Sequence, residues 1–297
     1  MGHVESLAET FRRAVSAIDA GDLAAIQALL EQHPEVASER LEGSPSWLRD
    51  EVGDALDGFF QRPYLLWFVA EDPVRRGNLS SNISRIASLI IQAARQRKTP
   101  DLQEQLDYAL QLVALSWIAR DCGVQIGLID VLAEAGASLD GTPDHALTNA
   151  NFGAAEHLVA RGAPLTLSSA LCLGRWDEAS RLASQADSRS MQFALVLSAL
   201  RGLPEAVKRA LDLGADVNQP SVDLYSHATP LHHAVGSGVL EAVAALVEAG
   251  AKLNVKDAAW RGTPLGWSNH YLDQFSNDPR RHAYMEIRTY LKSQGAR

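Results

Sequence analysis

The chain has 297 residues, 46% of them in the apolar set AVILMFWYC, and 27 basic against 36 acidic side chains give a net charge of −9. This describes an acidic globular protein: even the run Leu65-Leu66-Trp67-Phe68-Val69-Ala70 stops at Glu71-Asp72, far short of the ~18–20 apolar residues that span a bilayer. Two cysteines, Cys122 and Cys172, are too few for a disulfide framework or a four-cysteine zinc site, and a cytoplasmic setting is expected.

The amino end, Met1-Gly2-His3-Val4-Glu5-Ser6, runs straight into charged amphipathic sequence, without the apolar core of a signal peptide. From Phe11 to Leu30 a helical pattern stands on both sides of Gly21-Asp22, which predicts a helix pair over 5–33. Residues 39–60 break that pattern. Trp47 and the acids Asp50, Glu51, Asp54 and Asp57 precede Phe59-Phe60, and this insertion of about 20 residues is too aromatic for a linker. Further helix pairs are expected over 61–95, 101–137, 143–163, 167–186, 190–215, 229–251 and 263–296. Several close alike, at Gly136-Ala137, Gly162-Ala163, Gly214-Ala215, Gly250-Ala251 and Gly295-Ala296. Thr229-Pro230-Leu231-His232-His233-Ala234 returns 34 residues later as Thr263-Pro264-Leu265-Gly266-Trp267-Ser268, a period typical of stacked helical units. Thr229 is placed to cap a helix, Pro230 to open it and Gly250 to end the next one.

These residues resemble the ankyrin repeat family, whose unit reads Thr-Pro-Leu-His-x-Ala, a Gly before the second helix, then Gly-Ala-Asp-x-Asn. The match is specific at 229–254 and decays elsewhere. The opening block and Arg62-Pro63-Tyr64-Leu65-Leu66-Trp67-Phe68-Val69-Ala70 are also similar to a set of bacterial ankyrin-type proteins, a likeness that implies no activity. The resemblance implies an all-α, ankyrin-type solenoid of about eight stacked helix-turn-helix units. It would be a single domain over 1–297, with an N-terminal cap pair at 1–38, the insertion at 39–60, repeats at 61–262 and a C-terminal cap repeat at 263–297. Short hairpin fingers are expected mainly in the C-terminal third, from 216–228 and 252–262.

Charge falls in blocks of −8 (1–60), +5 (61–100), −10 (101–251) and +4 (252–297). The long acidic stretch opposes the counterion release on which nucleic-acid binding depends, so no nucleic acid is expected. Arg75, Arg76, Arg85, Arg95, Arg97 and Lys98 read as a solvated helix face. His227, His232, His233 and His270 gather in the C-terminal units without His-x3-His or Cys-x2-Cys spacing, so no metal site is expected. The resemblance gives His232 a bracing role, bonding backbone and the Thr hydroxyl. Nucleophile-elbow, phosphate-loop and dinucleotide motifs are absent, so neither enzyme activity nor a cofactor is expected.

What remains is surface. The resemblance implies a concave face lined by finger tips and exposed first-helix positions. It would receive Asp223 and Tyr225 from one finger, Trp260 and Arg261 from the next, and His233 and Trp267 from variable slots of first helices, with Trp47 of the insertion as a further contact. Tryptophan, tyrosine and arginine dominate binding energy at interfaces. The expected function is therefore a non-enzymatic, monomeric scaffold that binds an unidentified protein partner and no membrane. The alternative is a small-molecule-binding protein or enzyme with a pocket in the 39–80 region, where Tyr64, Trp67 and Arg75/Arg76 would hold an anion.

Overall fold

A computed structural model describes residues 6–297; the expectation drawn from the amino end falls largely on residues 1–5, outside the described residues. All regular structure among the described residues is helical, and the chain forms two compact units, Met1–Pro164 and Leu165–Arg297. No helix among the described residues is long and apolar enough to cross a membrane.

Unit 1 contains α1 (Leu7–Ala20), α2 (Leu23–Gln32), α3 (Ser46–Val52), α4 (Ile83–Gln96), α5 (Leu102–Leu115), α6 (Trp117–Asp121), α7 (Gln125–Glu134), α8 (Thr142–Thr148) and α9 (Phe152–Ala160). It has two layers. In one, α2, α4, α7 and α9 pack in succession; in the other stand α1, a 3-10 helix at Leu65–Ala70, α5 and α8. The ordinary helix expected to open the pair at 61–95 is thus replaced by six residues of 3-10 helix. All six are buried, because a run apolar on every side has no polar face to turn to water. Phe68 in this run meets the edges of Phe11 and Phe60, at centroid distances of 5.7 and 5.2 Å.

The 39–60 segment folds into α3 and a 3-10 turn at Gly53–Asp57, and its Leu48, Leu56 and Phe60 are buried. It adds to the core of unit 1. The anion-holding arrangement kept as the alternative does not form. The Arg75 guanidinium donates to both Asp19 carboxylate oxygens at 2.7 and 3.1 Å and sits 3.1 Å from Glu71. Tyr64 donates to Asp101 at 3.0 Å, and the Trp67 indole donates to the Gln105 carbonyl at 3.3 Å. The protein's own acceptors fill the positions a ligand's would take.

Unit 2 contains α10 (Leu167–Cys172), α11 (Trp176–Ala183), α12 (Ser188–Leu200), α13 (Pro204–Asp212), α14 (Pro230–Ser237), α15 (Leu240–Glu248), α16 (Pro264–Gln274) and α17 (Arg281–Ser293). The first helices α10, α12, α14 and α16 pack in succession, with α13, α15 and α17 as a second layer. Leu171, Leu195, Val235, Leu246, Ile287 and Leu291 are buried at 1% exposure or less between them. Local chemistry sets the ends of these helices. Thr229 is extended before Pro230, and Gly238 closes α14 at φ 75°, where an added Cβ would lie 3.4 Å from the Tyr284 ring. At α16 the Thr263 hydroxyl accepts from the Gly266 N–H at 3.1 Å.

Candidate functional site

The loops 213–229 and 249–263 leave unit 2's helices at the same end as the starts of α14 and α16, and one carboxylate shapes the second loop. Asp257 is 1% exposed. Its Oδ1 accepts from the backbone N–H groups of Ala259 and Trp260 at 2.9 and 2.6 Å. Its Oδ2 accepts from the Gly262 N–H at 2.7 Å and from the Trp267 indole N–H at 3.0 Å. Burial pushes this carboxyl up, but the N–H groups of Trp260, Trp267, Gly262 and Ala259 together hold it below the usual carboxylate range. Asp257 therefore ties the turn that displays Trp260 to the ring of Trp267 on α16. The Ala258 N–H donates to the His227 carbonyl at 2.7 Å, which joins the two loops.

His232 braces the same corner. Its Nδ1 accepts from the Thr229 N–H at 3.3 Å and lies 2.8 Å from the Thr229 hydroxyl, so Nε2 carries the proton and donates to the Gly262 carbonyl at 3.1 Å. Burial holds its pKa below the ordinary histidine value. Gly262 packs directly under Trp267: a Cβ there would lie 3.0 Å from the indole Cδ1 and 3.1 Å from Asp257 Oδ2, so a side chain would wedge the ring off its support.

The result is a cavity of about 660 Å³ lined by Leu200, Tyr225, His227, His233, Trp260, Gly262, Gly266, Trp267, His270 and Tyr271, within the size range of ligand pockets. Trp260 and Trp267 stand edge to face at 5.8 Å, and His227 meets Trp260 the same way at 4.9 Å. Tyr225 and Arg261, at the two loop tips, have φ of +46° and +60°. A non-glycine residue held in that region costs about 1 kcal/mol or more, strain that concentrates at functional sites. Two polar atoms in the walls are buried and have no hydrogen-bond partner: His227 Nε2 and His233 Nε2. Burial, followed by the neighbouring His227 and His232, pushes His233 down to about 4, against the pull of the Tyr225 and Ala228 carbonyls. At neutral pH it is an uncharged imidazole.

Of the residues expected on the partner-binding face, Trp260, Trp267, Tyr225 and His233 come together in this cavity. Trp260 is 70% exposed at its rim. His233 differs from expectation: it is 3% exposed, with the Tyr225 ring 6.0 Å from its own and the Tyr225 and Ala228 carbonyls acting on it. Asp223 and Arg261 are exposed and outside the lining, Asp223 being held by Arg189. Trp47 lies half-buried on α3 in unit 1. Leu200, Tyr271 and the organising Asp257 were not anticipated; Asp257 ahead of a short loop that ends in Gly262 is a turn-forming pattern that could have drawn attention. Among the described residues no group of three or more His, Cys, Asp and Glu side chains is arranged to hold a metal ion.

His233 also sets a pH dependence. Its folded pKa of about 4 lies below the ordinary 6.5, so as pH falls the unfolded chain takes up the proton first. Stability is complete above about 6.5 and declines toward 4, by about 3 kcal/mol from this residue. Urea unfolding at pH 7, 5.5 and 4.5 should show that loss in the wild type and a flatter profile in His233→Phe. Equal slopes would show that His233 is not kept neutral by burial.

The sequence matches the family described as ankyrin repeats (three copies) over residues 150–257. Among solved structures, the crystal structure of the human ASB11 ankyrin repeat domain is similar, at 17% identity, covering 70% of this chain and 98% of that chain with a TM-score of 0.33. No curated protein matches the sequence. Residues 150–257, which include the specific motif at 229–254, are therefore similar to ankyrin repeats.

Proposed function

We propose that this chain is a non-enzymatic scaffold that binds a partner protein through the aromatic face of unit 2. Ankyrin repeats are generally protein-protein interaction modules and typically non-enzymatic. The observation that carries the reading is Trp260: a large aromatic side chain 70% exposed, on a loop held rigid by Asp257, at the mouth of a cavity walled by Trp267, Tyr225 and Tyr271. Exposed aromatic anchors on rigid supports lose little entropy on binding and supply most interface energy. Arg261 and Asp223 flank this mouth as candidate rim contacts, and Trp47 is a separate candidate contact in unit 1. Neither Cys122 nor Cys172 forms a disulfide, which fits a cytoplasmic setting.

The test is affinity capture with the wild-type chain, followed by binding measurements on the protein recovered. Trp260→Ala should weaken binding at least about 30-fold, the effect of truncating a central aromatic anchor, with the unfolding midpoint unchanged. A captured protein that binds Trp260→Ala at full affinity places the interface elsewhere.

A further inference from the structure

The cavity has a feature that surface exposure alone does not explain: a buried acceptor with nothing to accept. The His233 ring is 3% exposed and lines the cavity, and its Nε2 has no partner. The Tyr225 and Ala228 carbonyls act on the same imidazole and favour a proton on it, and with Nε2 unpartnered the nitrogen they engage is Nδ1. That assigns the proton to Nδ1 and leaves Nε2 as an unpartnered lone pair on a ring that lines the cavity. A buried polar atom left unpaired is destabilising unless something repairs it.

Charge narrows what can do so. The one carboxylate of the corner, Asp257, has both oxygens already taken by N–H donors, so an entering ammonium group finds no counterion. The half-buried Arg201 guanidinium is within electrostatic reach of Tyr225 and its Nε is unpartnered, which opposes a cation further. Arg201 is not among the residues that line the cavity, so an anion inside would have no direct cationic partner and would meet the neutral His233 and the negative faces of the rings. The walls suit a flat uncharged ring.

We infer that the cavity is the seat for an aromatic side chain carrying a ring-borne hydrogen-bond donor, tryptophan or tyrosine, presented by the partner polypeptide, with its N–H or O–H donated to His233 Nε2. This rests on the proposed binding role of unit 2 and names the partner's anchor. The ring would stack among Trp260, Trp267 and Tyr271.

The probes are N-acetyltryptophanamide, N-acetyltyrosinamide, N-acetylphenylalaninamide and the 1-methylindole analogue of the first, titrated by NMR and calorimetry into the full chain. The tryptophan and tyrosine probes should bind at about 0.1–1 mM, as expected for so few atoms. The two donor-less probes should bind about tenfold more weakly, the effect of one hydrogen bond to a buried acceptor. In His233→Phe, checked for folding by its unfolding midpoint, that tenfold preference should vanish. Trp260→Ala, altered only at an exposed side chain, should weaken every probe. Donor-bearing and donor-less probes binding the wild type equally would overturn the assignment to His233, as would no saturable binding at 10 mM or a preference for free indole over the amide. If Trp260→Ala lost the captured partner while no aromatic probe bound, the partner-binding surface would stand and this anchor would fall. If the probes bound as expected while Trp260→Ala kept the partner, the pocket would stand and that surface would fall.

Discussion

Asp257→Ala is expected to lower the stability of the folded chain by about 4 kcal/mol and to dismantle the cavity at the same time. The carboxylate accepts from three backbone N–H groups and one indole N–H. Each buried donor left without an acceptor costs about 1–3 kcal/mol, and partial hydration of the opened loop recovers some of that. Asn is no remedy. It keeps one acceptor oxygen but turns an NH2 group toward donors, so Asp257→Asn should lie close to Asp257→Ala. Because the folded carboxyl titrates below its ordinary value, the stabilisation is present above about pH 4 and disappears as pH falls through the folded pKa. Urea unfolding at pH 7 reads the loss, and the Trp267 indole N–H resonance, now unbonded, should move toward its free position. A variant within 1 kcal/mol of wild type would show that the loop does not depend on this carboxylate.

The same residues show what could be read before the structure. Thr229, Pro230 and Gly238 act within one turn of themselves, through a cap, a missing N–H and a left-handed φ, and so the helix pair at 229–251 was legible. Trp260, Trp267 and Tyr225 could be placed near one another because the repeat fixes loop and first-helix slots at a constant offset. His233 could not be judged. Whether a first-helix slot is open or roofed depends on how 225–228 folds, and Tyr225 sits at φ +46°, a conformation its type does not announce. Asp257 was missed for a similar reason: its importance lies in which four donors the loop brings to it, not in its own side chain. The Leu65–Ala70 run was ambiguous in another way. With no polar positions it has no periodicity, and 3-10 and α-helical windings read alike.

Arg75 carries the second large effect. Its side chain is 1% exposed, bidentate on Asp19, 3.1 Å from Glu71 and 5.0 Å above the Phe68 ring. Glu71, itself buried at φ +52°, accepts through its other oxygen from the backbone N–H groups of Arg75, Arg76 and Gly77. Removing the cation leaves Asp19 with only the exposed Arg76, at 3.6 Å, and the buried Glu71 with only backbone N–H donors, and breaking a buried pair in this way costs about 3–5 kcal/mol. Arg75→Met should lose nearly as much as Arg75→Ala, because volume is not what the site lacks. If charge is the cause, adding Asp19→Asn and Glu71→Gln to Arg75→Met should recover part of the loss, since a neutral site no longer holds uncompensated carboxylates. Urea unfolding of the three proteins decides this: a triple variant no more stable than Arg75→Met would point to packing instead. Either way, the central arginine of the basic zone at 61–100 is consumed inside unit 1, and the positive charge counted there overstates what the surface can offer a partner.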